Sequence, residues 1–132
     1  MSKIVGIGGI FLKVQDKAAA RRWYVEVLGL DLASWGGVKF EQSAPGAPGD
    51  GPGVFTLFAS DTDHFAPSTQ PVMINLRVDD LDGVLARAAD KGVTPLGRSD
   101  DDAFGRFAWL LDPDGFKIEL WEPPAKSGAA GG

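Results

Sequence analysis

Few side chains in this sequence can do chemistry. There is no cysteine and a single histidine among 132 residues, so neither a disulfide framework nor a thiolate zinc centre is available. The histidine, His64, sits in Ser60-Asp61-Thr62-Asp63-His64-Phe65, a polar stretch expected to link two halves of the chain and to leave the imidazole solvated. Three other clusters read as structure. Ser99-Asp100-Asp101-Asp102 is expected to be a solvated acidic loop rather than a cation site. Asp112-Pro113-Asp114-Gly115 lacks the later Glu of a calcium loop and reads as a tight turn. Gly6-Ile7-Gly8-Gly9 is not a dinucleotide fingerprint, because Phe11 stands where the third glycine is needed and a strand, not a helix, follows. That leaves Glu119, a lone carboxylate in Phe116-Lys117-Ile118-Glu119-Leu120-Trp121. Three roles stay open for it: general base, anchor for a cation, or ion-pair partner of Lys13 or Arg77.

The elements that position these residues follow from periodicity. Ile10, Leu12 and Val14 alternate along one strand, and Ile74, Leu76 and Val78 along another, each ending in an Asp (Asp16, Asp80) placed to cap a helix. After Asp16, Ala20, Trp23, Tyr24, Val27 and Leu28 share one helical face, closed by Gly29. After Asp80, Leu81, Val84, Leu85 and Ala88 repeat the pattern, closed by Gly92. Later strands are expected at 30–35, 38–41 and 54–58 in the first half, and at 93–96, 106–111 and 116–121 in the second. Each half is thus βαβββ, and the fold class α+β. The segment from Ser43 to Gly53, dense in Gly and Pro, is expected to be a loop.

Length and composition fit one domain: residues 1–122, with module one about 4–60 and module two about 71–122, then a disordered tail over 123–132. Apolar residues make up 44% and charged residues 23%, as in ordinary soluble domains. The net charge of −5 disfavours binding to nucleic acid. No apolar run approaches a membrane span, and a cytoplasmic location is expected.

The duplicated βαβββ, with Trp23-Tyr24-Val25-Glu26-Val27-Leu28-Gly29-Leu30 in the first half and Asp112-Pro113-Asp114-Gly115-Phe116-Lys117-Ile118-Glu119-Leu120 in the second, resembles the vicinal oxygen chelate superfamily. This is the superfamily of glyoxalase I, extradiol dioxygenases, and fosfomycin- and bleomycin-resistance proteins. The resemblance implies a cupped mixed sheet made by the two modules and, commonly, a homodimer. It also implies metal ligands in the first and last strand of each module. Those positions fall on Gly9, Thr56, Met73 and Glu119, of which only the last matches. No metal and no other cofactor is therefore expected.

With Ile10, Leu12 and Val14 facing the helices, the two-residue period of strands turns Phe11 and Lys13 toward the cup, and likewise Met73, Asn75 and Arg77. Thr56 and Phe58 join them from the first module, and Phe107, Trp109 and Trp121 from the second, with Glu119 among them. Aromatic walls with a few polar groups describe a small-molecule pocket. The same residues could instead pack against a second subunit or a loop, filling the cup. The expected function is metal-free binding of a partly aromatic or cationic small molecule. The alternative is a lyase, isomerase or dioxygenase-like enzyme using Glu119.

Overall fold

A computed structural model describes residues 2–40 and 53–124. The chain runs β1 (Ile4–Val14), α1 (Lys17–Leu28), β2 (Gly37–Phe40), β3 (Gly53–Ala59), β4 (Val72–Val78), α2 (Leu81–Asp90), β5 (Gly97–Asp102), β6 (Gly105–Leu111) and β7 (Lys117–Glu122). The strands form one mixed sheet in the order β2-β3-β1-β4-β7-β6-β5. The first strands of the two halves, β1 and β4, lie antiparallel at its centre, while β1–β3 and β4–β7 are parallel. This is the α+β arrangement that the resemblance implies, with the first strands of the two halves side by side at the centre of one mixed sheet.

Both helices start where a carboxylate satisfies a free backbone donor. Asp16 accepts from the Ala19 amide and Asp80 from the Gly83 amide. Gly29 ends α1 in the left-handed region, at φ 70°, which a residue with a Cβ adopts only under strain. The main core lies between α2 and the second-half strands, where Leu81 and Leu85 pack with Val78, Ala108 and Leu120. Leu76, Leu110 and Ile118 flank this cluster, so alternate residues of β4, β6 and β7 face the helix and their neighbours are released to the opposite face.

Two expected strands are absent. The chain at 30–35 is irregular: Leu32 donates back to the Leu30 carbonyl and Gly36 to that of Ala33. Arg21 of α1 holds the Leu32 and Ala33 carbonyls, which a ladder would otherwise claim. At 93–96, Pro95 removes a donor and Val93 is spent on closing α2 through the Ala88 carbonyl. Pairing with β6 starts only at Leu96 and continues through β5. Ser99 to Asp102, expected as a loop, therefore lies in a strand. What makes this possible is charge pairing rather than apolar alternation. Arg98 and Arg106 both bind Asp82 of α2 and Asp100 of β5 at 2.5–2.9 Å. The guanidinium of Arg98 chiefly holds the Asp82 carboxyl below its ordinary range, and that of Arg106 does the same for Asp100.

Most of the expected Gly- and Pro-rich loop, Glu41 of the strand expected at 38–41, and the tail from 125 onward lie outside the described residues. Pro123 and Pro124 are described, and they continue directly from β7.

Candidate active site in the cup

One row of residues crosses the sheet and builds the site. The strand registers align Val54 of β3 with Gly9 of β1, Gly9 with Asn75 of β4, Asn75 with Glu119 of β7, and Glu119 with Trp109 of β6. Cross-strand neighbours on one face touch, and here both flanking residues serve the carboxylate. Asn75 Nδ2 donates to Glu119 Oε1 at 2.6 Å, and Trp109 Nε1 donates to Oε2 at 2.7 Å. Since a carboxylate only accepts, it must be the nitrogen of the Asn75 amide that faces it. Glu119 is 5% exposed and Asn75 3%, so these bonds replace lost hydration.

The β6–β7 register comes from the turn expected at 112–115. Asp112 Oδ1 accepts from the Asp114 and Phe116 amides, and Gly115 adopts φ 87°. The β1–β4 register carries an irregularity between Ile7 and Gly9, which brings Gly8 as well as Gly9 to the cup side. A Cβ on Gly8 would run into Asn75 Oδ1 and the Trp121 ring. The missing side chain at Gly8 is what lets the Asn75 amide and the indole close over the centre of the sheet, while that at Gly9 makes room for Phe11 and Val54.

Above this row opens a cavity of about 930 Å³. Phe11, Thr56 and Phe58 line it from the first half, and Asn75, Phe107, Glu119 and Trp121 from the second. The Phe107 and Trp121 rings are parallel, 6.2 Å between centroids, and the Trp121 indole N–H donates to the Phe104 carbonyl at 2.7 Å. The remaining candidates sit elsewhere. Trp109 backs the carboxylate without lining the cavity. Lys13 lies with its Nζ 5.4 Å from the centre of the Phe65 ring. Met73 is fully buried, and Arg77 is buried too, donating to the Ile7 carbonyl at 3.1 Å.

Sequence reading missed His64. Far from being simply solvated, it lines the cavity, lies parallel to Phe58 at 5.4 Å and brings Nε2 to 3.8 Å from Glu119 Oε2. Its backbone is anchored by Lys117, whose Nζ donates to the His64 carbonyl at 2.6 Å; burial pulls the Lys117 pKa down, with the charges of Glu119 and Asp63 opposing. The aromatic neighbour Phe65, wholly buried, was the available signal: an apolar anchor in a polar segment pins the residue beside it. Trp35, Lys17 and Lys39 also reach the cavity, carried there by the irregular segment, the first turn of α1 and β2 respectively.

A metal ion does not fit this donor set. Gly9 has no side chain, Met73 offers a buried thioether and Thr56 a hydroxyl, which leaves Glu119 the one hard anionic donor of the four. Among the described residues no three His, Asp or Glu side chains are grouped to hold one.

Residues 9–121 match the model of the glyoxalase-like domain family, and the chain belongs to that family, within the vicinal oxygen chelate superfamily. No functionally curated protein matches it. Among solved structures, methylmalonyl-CoA epimerase from Mycobacterium tuberculosis is 23% identical with a TM-score of 0.63, over 96% of this chain and 93% of the epimerase. The Streptomyces coelicolor epimerase in complex with 2-nitronate-propionyl-CoA is 21% identical with a TM-score of 0.67, over 93% of this chain and all of that one. A 2,3-dioxygenase from Pseudomonas sp. KL28 is 20% identical with a TM-score of 0.63, over 92% of this chain and 42% of the dioxygenase. At these identities the likeness is one of fold.

Proposed function

We propose that the protein binds a partly aromatic small molecule in the cup, without a metal, using the Glu119 carboxylate as its polar anchor. The observation that carries this reading is a cavity of about 930 Å³ walled by aromatic rings with one hydrogen-bonded carboxylate at its base. Volume, apolar walls and few convergent polar groups are the attributes of a small-molecule site. A screen of aromatic ligands read by tryptophan fluorescence tests the reading. Trp121 lines the cavity, so bound ligands quench emission. Loss of stacking in Trp121→Ala weakens binding about tenfold. A screen in which binders ignore both Trp121→Ala and Glu119→Gln contradicts it.

The approach of His64 to Glu119 supports a second reading, an isomerase or lyase in which the carboxylate takes a proton from bound substrate and the imidazole manages the charge. Exchange of a ligand C–H for deuterium in D₂O, abolished in Glu119→Gln, separates this from binding alone. A dioxygenase-type reaction finds no support, because the donor set does not fit a metal. We also propose a homodimer. Ile7, Trp23, Val27 and Leu28 are each more than half exposed, an apolar area typical of an interface. Sedimentation at about 10–50 μM, a concentration suited to an interface of standard size, gives a dimer if this holds and a monomer if it does not.

A further inference from the structure

We propose that the cup selects planar nitrogen cations presenting two N–H groups side by side, such as amidinium, guanidinium or 2-aminoheteroaryl cations, over ammonium ions and neutral amides. This rests on the reading of the cup as a small-molecule site. A carboxylate has about four in-plane lone-pair directions, two on each oxygen. In Glu119 one on each oxygen is taken, Oε1 by Asn75 and Oε2 by Trp109. These donors stand on β4 and β6, the strands on opposite sides of β7, and so reach the carboxylate from opposite flanks. Donors arriving from the flanks occupy the outward lobes. The two inner lobes, roughly parallel, remain for the cavity, and a matching pair of parallel N–H groups is the arrangement that fills both.

Lys17 and Lys39 also line the cavity, Lys17 donating to the Trp35 carbonyl, but next to the carboxylate the electrostatics agree. A carboxylate this buried gains most from a desolvated cation; among the described residues its ion pair is with His64, 3.8 Å away and charged only when protonated, and Lys117 acts on it from further off. The separation from His64 is beyond a hydrogen bond, so the imidazole occupies neither oxygen, and Glu119 lines the cavity. The walls favour flat cations as well. Phe107 and Trp121 lie parallel to within 3°, and Phe58 and His64 to within 8°. Planar delocalised cations stack on aromatic faces, whereas a tetrahedral ammonium offers no face and points only part of its donors at the fork.

The test compares three probes of nearly one size, benzamidinium, benzylammonium and benzamide, on the full chain at neutral pH by fluorescence titration. The expected order is benzamidinium about tenfold tighter than benzylammonium, with benzamide weakest, a step typical of one additional charge-assisted bond. Glu119→Gln brings the three within about twofold of one another. Glu119→Asp keeps the charge but withdraws the fork by one methylene, so both cations still exceed benzamide while the preference between them disappears. Each variant is first shown to melt cooperatively, and the ratio of affinities within one variant is the readout. Equal affinities for the two cations in the unsubstituted protein overturn the proposal and leave the cup reading intact if other aromatic ligands bind there. An order that persists in both variants overturns it too. If no aromatic ligand binds, the cup reading fails and the proposal with it.

Discussion

The two helices start alike and end in different surroundings. α2 buries Leu81 and Leu85 against three strands, whereas α1 buries none of its residues. On α1, Tyr24 reaches Phe55 at 5.1 Å, but Trp23 is 51% exposed and packs edge-on to Tyr24, so the apolar face that periodicity assigns to this helix is not buried at Trp23. The difference lies in the sheets beneath. β4, β7 and β6 offer α2 a continuous aliphatic floor, while the segment at 30–35 that would have widened the floor under α1 is irregular. Instead a cavity of about 360 Å³ lies there, lined by Ile7, Ile10, Tyr24, Leu28 and Phe55 among others. Duplicated topology therefore does not duplicate packing. The second half consolidates the fold, and the first supplies one wall of the cup.

Truncation separates the halves most sharply. Leu81→Ala, at a fully buried position, should cost about 2–5 kcal/mol in urea unfolding, whereas Leu28→Ala, 61% exposed within one chain, should cost at most about 0.5 kcal/mol at protein concentrations low enough to dissociate the proposed dimer. Equal losses would mean that α1 is covered, as it would be in a dimer. Removing the caps is the next smaller effect. Asp80→Ala should lower global stability by about 1 kcal/mol, while Asp16→Ala should mainly raise amide exchange in the first turn of α1. The smallest effect is in acid. Asp82 and Asp100 have lowered pKa values in the folded state, so the unfolded chain binds more protons as pH falls. Their stabilising contribution is present above the usual carboxylate range and is lost as pH falls through the folded values. Both carboxylates are exposed to solvent and salt, which keeps the contribution small. Melting temperature followed from pH 5 to pH 2 should fall less steeply in the doubly substituted Arg98→Met, Arg106→Met protein than in the parent.

How far the molecule is legible in its sequence follows the same division. The period-two runs Ile10-Leu12-Val14 and Ile74-Leu76-Val78, the capping aspartates and the Asp112 turn are local signals, and local geometry realises them. The turn even sets Trp109 opposite Glu119, so half of the carboxylate's hydrogen bonding is implicit in a hairpin. The other half, Asn75, needed the parallel pairing of β4 with β7, which no short-range pattern encodes. The charged strand β5 was illegible because its stability comes from Arg98, Arg106 and Asp82 on three different elements. His64 was legible only in part: Phe65 beside it marks an anchored linker, but its approach to Glu119 depends on the path that the linker takes. Lys13 and Arg77 show the limit of strand phase, which gives the face of a side chain but not its partner: Lys13 turns to Phe65 and Arg77 to the Ile7 carbonyl.

The central claim, that a small molecule binds in the cup against Glu119, is tested most directly by the four indole N–H signals of the ¹⁵N-labelled protein during titration with an aromatic ligand. Trp109 donates to Glu119, Trp121 and Trp35 line the cavity, and Trp23 lies outside it on α1. A ligand bound in the cup shifts Trp109, Trp121 and Trp35 with one common dissociation constant while Trp23 stays in place, and Glu119→Gln weakens its affinity. Saturable binding that moves Trp23 and leaves Trp109 and Trp121 unmoved would place the ligand outside the cup and contradict it.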